Sequence, residues 1–400
     1  MKIHLWSIYY EPVPMGIGPV AAMLAKQLQA RGDDVTVIAS HPHYPSPAWG
    51  PSFRPRRRVR DGIDVVELPV FTGRSRGWQR MLGELSYGAG QTIAALAPFK
   101  ADVVIATVPS LMVVPGASIY SHTRRVPWVV WLHDIVSGAA AATGLLGEGP
   151  ALRTVRRIER FAFRDADRVV TISKAFEKQL IAAGVPAAKV EQIYGGASLS
   201  LGKPRSGPVA GHSVLVIGNI GLTQNLAELA RAFQRSAPLR ELGAELRVTG
   251  DGVAAPQVHE VAAGGAVTML GVVSAERLAG ELDGARIALV SQHPDVRDFN
   301  LPSKITTYMA RGVPVFAVVN PGTEAAELVA SSGAGWVADS RDLDGACRRL
   351  AGLLADDAEL ARASAAGLGF AAEHFQSAAV ASRFGELLEE TVGARGGARA

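Results

Sequence analysis

The sequence predicts an α/β protein of two doubly wound, Rossmann-like domains with a helical C-terminal tail, and three observations predict it. Short apolar runs rich in β-branched residues alternate with amphipathic stretches for nearly the whole length, the pattern of parallel strands joined by covering helices. One stretch, YGGASLSLGKPRSGPVAG over 194–211, is dense in Gly, Pro and Ser and interrupts the alternation, which then restarts. The length, 400 residues, suits more than one domain, because single domains run to about 100–200 residues.

Taken in order, residues 3–9 read as a buried strand and 11–18 as the loop after it. Val20, Leu24 and Leu28 then mark a helix face that ends at Arg31-Gly32, and 35–40 is the next strand. Further strands are expected at 65–70, 103–107, 128–132, 169–172 and 190–193, with helices at 81–96 and 152–163. After the Gly/Pro/Ser stretch, strands are expected at 214–217, 245–248, 266–270, 287–290 and 313–318, with helices near 226–233, 275–282 and 304–311. From Leu343 onward the chain reads as helix throughout. The expected division is therefore a first domain over 1–200, a linker over 201–211 and a second domain over 212–375. A helix and tail over 376–400 would pack back on the first domain.

Composition excludes several functions. Hydrophobic residues are 48% and charged residues 20%, enough apolar surface for a large core and too much for intrinsic disorder. Lys plus Arg is 41 against 37 Asp plus Glu, a net charge of +4, too little for a dedicated nucleic-acid binder. One cysteine, Cys347, excludes a disulfide framework and any Cys-rich metal site. No apolar run reaches the roughly 20 residues that span a bilayer, and MKIHLWSIYY lacks a signal peptide's basic-then-apolar order. A cytoplasmic location is expected.

Ligands of open α/β sheets bind at the carboxyl ends of strands, so the strand-to-helix loops carry the candidate residues. In the first half these are Glu11, Gly16 and Gly18, whose glycines would either let the backbone approach an anion at a helix N-terminus or simply form a tight turn. His133 and Asp134 follow an apolar strand, where the histidine would position or shuttle a proton and the aspartate would accept a sugar hydroxyl. In the second half, Gly218-Asn219-Ile220-Gly221-Leu222-Thr223-Gln224 ends the first strand and Gly250-Asp251-Gly252 ends the next. Asn219, Thr223 and Gln224 would add side-chain donors for phosphate. Lys304 follows Leu301-Pro302-Ser303 at a helix start, where the dipole disfavours a cation unless an anion meets it.

Two further patterns stand apart. Arg54, Arg56, Arg57, Arg58 and Arg60 form a basic patch that either attracts anionic lipid or a phosphorylated acceptor, or is a solvated loop. Asp165-Ala166-Asp167 spells the Asp-x-Asp of metal-dependent sugar transferases, yet it lies in a connector ahead of a strand and is assigned no metal. Zinc spacings, P-loops and nucleophile triads are absent.

In sequence order, the Gly16/Gly18 loop, RGDDVTVIAS, HPHYPSPAW, FRDADRVVTISKAFEKQLIAAGVPAAKVEQIYGG, GNIG, VTGDG, MLGVVSAERL and LPSKITTYMARGVPV resemble a bacterial glycosyltransferase of family 4, with the GT-B architecture. The likeness covers nearly the whole chain, and GNIG and HPHYP are most similar to the subgroup of O-antigen and capsule-type polysaccharide assembly. The resemblance implies a nucleotide-sugar donor, UDP-linked by base rate, held by the second domain. It implies an acceptor hydroxyl held by the first, retention of anomeric configuration, no metal and no cofactor beyond the donor itself. It places Lys304 on the leaving diphosphate and Ser303, Pro302, Leu301 and the two glycine turns around the donor. The family's paired glutamates fall at Phe299 and Thr307 here, so Asp298 stands in for the first and Thr307 for the second. The acceptor is a lipid-linked glycan or a small natural product. A sugar-nucleotide 2-epimerase and an inactive homologue serving as a partner protein are the alternatives.

Overall fold

The computed structural model describes residues 1–13, 17–42, 54–71, 77–97, 100–108, 110–137, 149–195, 203–205, 207, 209–295 and 303–397. The chain forms two compact units, Met1–Gly196 with Ser377–Ala400, and Ala197–Gln376.

The first unit is built on β1 (Lys2–Ser7), α1 (Gly18–Ala30), β2 (Asp34–Ser40), β3 (Arg56–Arg60), β4 (Ile63–Leu68), α2 (Gly77–Ala95), β5 (Val103–Val108), α3 (Val113–Arg124) and β6 (Trp128–Leu132). It continues through α4 (Pro150–Asp165), β7 (Arg168–Thr171), α5 (Lys174–Ala182) and β8 (Val190–Gln192), and is closed by α14 (Ser377–Gly397). The sheet order is β3-β4-β2-β1-β5-β6-β7-β8, parallel except for β3 against β4. Leu5 stands opposite Val37 on one side and Ile105 on the other. Strands such as β5, VVIATV, are buried along their whole length because helices cover both faces, so they read as continuous apolar runs without alternation.

The terminal helix is bound by both packing and polar contacts. Phe384, Leu387 and Leu388 are at most 2% exposed, and burial of each such side chain contributes about 1.5–3 kcal/mol. The Phe384 ring meets Trp131 edge-on at 5.0 Å. Arg395 lies 2.7 Å from Asp167, whose carboxylate also accepts the Trp128 N–H at 2.9 Å. Asp165 accepts from Ser118 at 2.8 Å. Of the Asp-x-Asp spelling, Asp167 thus joins the terminal helix to the sheet and Asp165 joins α4 to α3.

The second unit contains β9 (Ser213–Ile217), α6 (Leu226–Arg235), α7 (Ala237–Glu241), β10 (Glu245–Thr249), α8 (Ala255–Ala262), β11 (Val267–Gly271), α9 (Ala275–Gly284) and β12 (Ile287–Ser291). It ends with α10 (Ser303–Ala310), β13 (Val315–Val319), α11 (Glu324–Ser332), β14 (Gly335–Asp339), α12 (Leu343–Leu354) and α13 (Asp357–His374). The order β11-β10-β9-β12-β13-β14 is parallel throughout. From β9 the chain winds outward one way, and from β12 it winds the other. The carboxyl ends of β9 and β12 therefore flank the point of reversal, where open sheets bind ligands.

Three expectations are corrected. The segment expected as a linker belongs to the second unit: Arg205 donates to the carbonyls of Gly312 and Ala285, and Arg286 donates to that of Val209 at 2.6 Å. The basic patch is no loop but an edge strand, β3, invisible to apolar patterning because it reads RRRVR. Three of its arginines are paired within the fold, Arg57 with Asp64 at 2.6 Å, and Arg60 and Arg58 with the buried Glu67 at 2.6 and 3.3 Å. Helix α3 also went unpredicted, because VVPGASIYSHTR is buried on most sides and carries Pro and Gly, leaving no polar stripe to betray a helix.

Candidate functional site

In the second unit, β9 hands over to Gly218 at φ 95° and β10 to Gly250 at φ 132°, conformations that favour glycine. The two turns lie directly on each other. A Cβ on Gly250 would stand 1.8 Å from the Gly218 carbonyl oxygen, and one on Gly252 would stand 2.4 Å from that of Ile220. Hydrogen bonds lock the contact, from the Gly218 N–H to Thr249 at 2.9 Å, from Ile220 to Asp251 at 2.9 Å and from Ala254 to Ile220 at 3.0 Å. Asp251 is exposed and its carboxylate accepts the Gly252 N–H at 2.7 Å. The next helix, α6, starts after Asn225 in the left-handed region with no side chain capping it, which leaves the positive end of its dipole open.

Lys304 reaches this place from the first turn of α10. Its Nζ donates to Gln224 Oε1 at 3.3 Å, and Gln224 Nε2 donates to the Asn219 carbonyl at 2.6 Å. The third strand end joins through the His293 N–H, which donates to the Thr223 carbonyl at 2.7 Å. Among the described residues no carboxylate pairs with Lys304. Burial pulls its pKa down to about 8, because a desolvated ammonium without a counter-ion is costly. The result is a half-buried cation beside two glycine turns and an open helix N-terminus, an arrangement whose unmet requirement is an anion.

Gly218, Asn219, Gly221, Thr223, Gln224, Gly250, Asp251, Gly252 and Lys304 are therefore brought together by three strand ends. Thr307, one turn along α10, is 2% exposed and sits in the packing of that helix. Asp298, Leu301 and Pro302 lie outside the described residues, and of Ser303 only its place at the start of α10 is described. Sequence reasoning missed His293 and Glu324. The latter is a buried carboxylate, 5% exposed, in the first turn of α11 at the carboxyl end of the neighbouring β13. Its signal was the Gly322-Thr323-Glu324 turn after an apolar strand.

The first unit holds a second group of candidates. His133 follows β6, its N–H donating to the Val108 carbonyl at 2.9 Å and its ring lying edge-on to Trp131 at 4.4 Å. Its Nε2 is buried and meets no hydrogen-bond partner among the described residues. Burial lowers the imidazole pKa to about 3, so the ring is neutral at physiological pH. Asp134, beside it, has its pKa raised by burial. Glu11 is instead tied to Lys26 at 2.8 Å, and Lys26 also holds Asp61 at 2.7 Å, so that carboxylate is committed to fastening the loop after β1. Gly18 permits close approach of the Val13 carbonyl oxygen, 2.7 Å from where a Cβ would stand, which is a packing role. Gly16 lies outside the described residues.

Residues 15–196 match the family described as Glycosyl transferase 4-like domain, and residues 211–356 match Glycosyl transferases group 1. A protein of Escherichia coli K12 named for colanic acid biosynthesis, the glycosyl transferase WcaI, is 24% identical over 351 residues, 82% of this chain and 86% of that protein. Among solved structures, HepE of Anabaena in complex with UDP superposes with a TM-score of 0.67 at 18% identity, covering 98% of this chain and all of that one. Sucrose-phosphate synthase of Thermosynechococcus elongatus gives 0.68 at 16% identity with the same coverage. WaaG, a glycosyltransferase involved in lipopolysaccharide biosynthesis, gives 0.62 at 12% identity over 96% of this chain and 99% of that one.

Proposed function

The chain is a family 4 glycosyltransferase of GT-B architecture, and from that premise we propose that it moves a sugar, with retention of configuration, from a UDP-linked donor to a hydroxyl of a glycan acceptor. The observation that carries the donor assignment is the convergence of Lys304, Gln224, Asn219 and the two glycine turns at the β9/β12 reversal of the second unit. Support for UDP comes from HepE, which was solved with UDP and with UDP-glucose. Support for a polysaccharide acceptor, lipid-linked in the proposal, comes from the WcaI likeness.

In this scheme the bond from the anomeric carbon to the diphosphate oxygen breaks as the bond to the acceptor oxygen forms on the same face. The acceptor's proton passes to the departing phosphate oxygen, so no protein base is required. Negative charge grows on the diphosphate, and Lys304 answers it together with the backbone N–H groups of Asn219 and Gly221. Such pre-set donors gain strength where water is excluded, and loss of one commonly costs two to three orders of magnitude in rate. Gln224 is the resting partner of the ammonium and would release it to the phosphate. His133, neutral and with an unmet nitrogen, would hold a sugar hydroxyl, and Asp134 would accept a second.

The deciding experiment is turnover of UDP-sugars by the purified protein with and without an acceptor. The proposal expects UDP release only with acceptor, and Lys304→Ala should reduce it more than hundredfold with the fold intact. An isomerised sugar formed without acceptor supports an epimerase instead. Binding without any turnover supports an inactive partner protein, the reading favoured by the absence of glutamate at Phe299 and Thr307.

A further inference from the structure

We propose that the cleft between α4 and α5 is a second binding site of the first unit, one that takes a neutral saccharide and holds a sugar of the acceptor beyond the one that reacts. Its link to the acceptor rests on the reading of His133 and Asp134 given above. The cleft encloses a cavity of about 390 Å³, within the roughly 300–1,000 Å³ of small-ligand pockets. Ile135 and Ser137 form part of its wall, two and four positions beyond His133, so one short segment joins it to the end of β6.

The decisive group is Glu159 of α4, which is 4% exposed and lines the cavity. Its Oε1 accepts the Ser137 N–H at 2.9 Å. Among the described residues its second oxygen meets no donor. Arg156, Arg160 and Arg164 stand on the same wall, yet none of them forms an ion pair with it. A carboxylate withdrawn from water is costly until donors meet both oxygens. Gln179 faces the cavity from α5 with an amide that can both donate and accept. The floor is apolar, made by Phe163, Leu180 and Val185, each at most 5% exposed.

This lining selects the class of ligand. A cation would satisfy Glu159 but would face three guanidinium groups. A phosphate or carboxylate would suit the guanidinium groups but would be set against a buried carboxylate. Hydroxyl groups answer both, because they donate to Glu159 while accepting from Arg160 or Gln179. The C–H face of a sugar ring meanwhile lies against the apolar floor, where its burial is favourable. An acceptor whose reacting sugar sits at His133 would lead its next sugars along the segment 133–137 toward this cleft.

The test is titration calorimetry of the full chain, without UDP, against lactose, cellobiose and N,N′-diacetylchitobiose, with phosphoethanolamine as a zwitterionic control. The wild type should bind at least one of the three disaccharides and leave the control. Glu159→Gln keeps an acceptor for the Ser137 N–H but loses the charge, and should weaken disaccharide binding about tenfold or more. Ala183→Phe fills the mouth of the cavity from an exposed position and should abolish it. Neither variant should shift the melting temperature. Binding of none of the disaccharides, binding unchanged in either variant, or phosphoethanolamine bound in their place overturns the proposal. Because no donor is present, the result stands apart from turnover. A chain that transfers no sugar yet loses disaccharide binding in Glu159→Gln keeps the site and fails the transferase reading, and an active chain that binds no disaccharide does the reverse.

Discussion

Replacing Lys304 with Met should make the second unit more stable while weakening its hold on UDP. Burial lowers the ammonium pKa from 10.5 to about 8, and every tenfold loss of proton affinity corresponds to about 1.4 kcal/mol. At pH 7 the folded protein therefore carries a charging cost of about 3 kcal/mol, which an isosteric apolar side chain lacks. For a domain of this size that is worth roughly 5–10 °C in melting temperature. The pH dependence gives a sharper signature. Below pH 8 the lysine is protonated in both folded and unfolded chains and the cost is constant. Between pH 8 and 10.5 the unfolded chain keeps the proton and the folded one has released it, so wild-type stability rises with pH across that window. In Lys304→Met the rise should vanish. Scanning calorimetry from pH 7 to 10 reads both effects, and UDP titration at pH 7 reads the loss of affinity. A variant less stable than wild type, or one that binds UDP equally well, would refute the reasoning that this cation is held against its own solvation for an anion.

Gly250→Ala would place a Cβ 1.8 Å from the Gly218 carbonyl oxygen at φ 132°, and urea unfolding should show a loss of at least about 3 kcal/mol. His133 and His4, whose pKa values burial lowers to about 3 and about 4, stay neutral in the folded chain while the unfolded chain takes up protons below about pH 6.5. Stability should accordingly fall as pH drops from 6.5 toward 4, by roughly 3 kcal/mol per histidine, and the His133 ring protons should show no titration in NMR spectra above pH 4. Asp167→Asn removes the charge that holds Arg395, and limited proteolysis should then cut within α14 faster than in the wild type.

The fold was legible wherever a strand lies between two helical layers, since Leu5 or Ile105 must be apolar whichever face it turns to. Legibility ended at edges and at elements whose neighbours hide their pattern. Strand β3 is held by charges on β4, and α3 is buried on too many sides to show a stripe. The elements of the proposed donor side were readable because glycine at fixed turns and a lysine at a helix start are both local signals. The partners of Glu11 and Gly18, Lys26 and the Val13 carbonyl, are contacts of the folded loop that spacing alone does not reveal. Thr307 was carried over by position from a family pattern, and its burial depends on how α10 packs. The Gln224 bridge between Lys304 and Asn219 joins residues far apart in the chain and could be seen only in the folded unit.

A crystal structure of the protein with UDP examines the central claim most directly. The account predicts the diphosphate within about 3 Å of Lys304 Nζ, with the ammonium released from Gln224 and the N–H groups of Asn219 and Gly221 facing phosphate oxygens. A diphosphate bound elsewhere, with Lys304 still donating to Gln224, would contradict it.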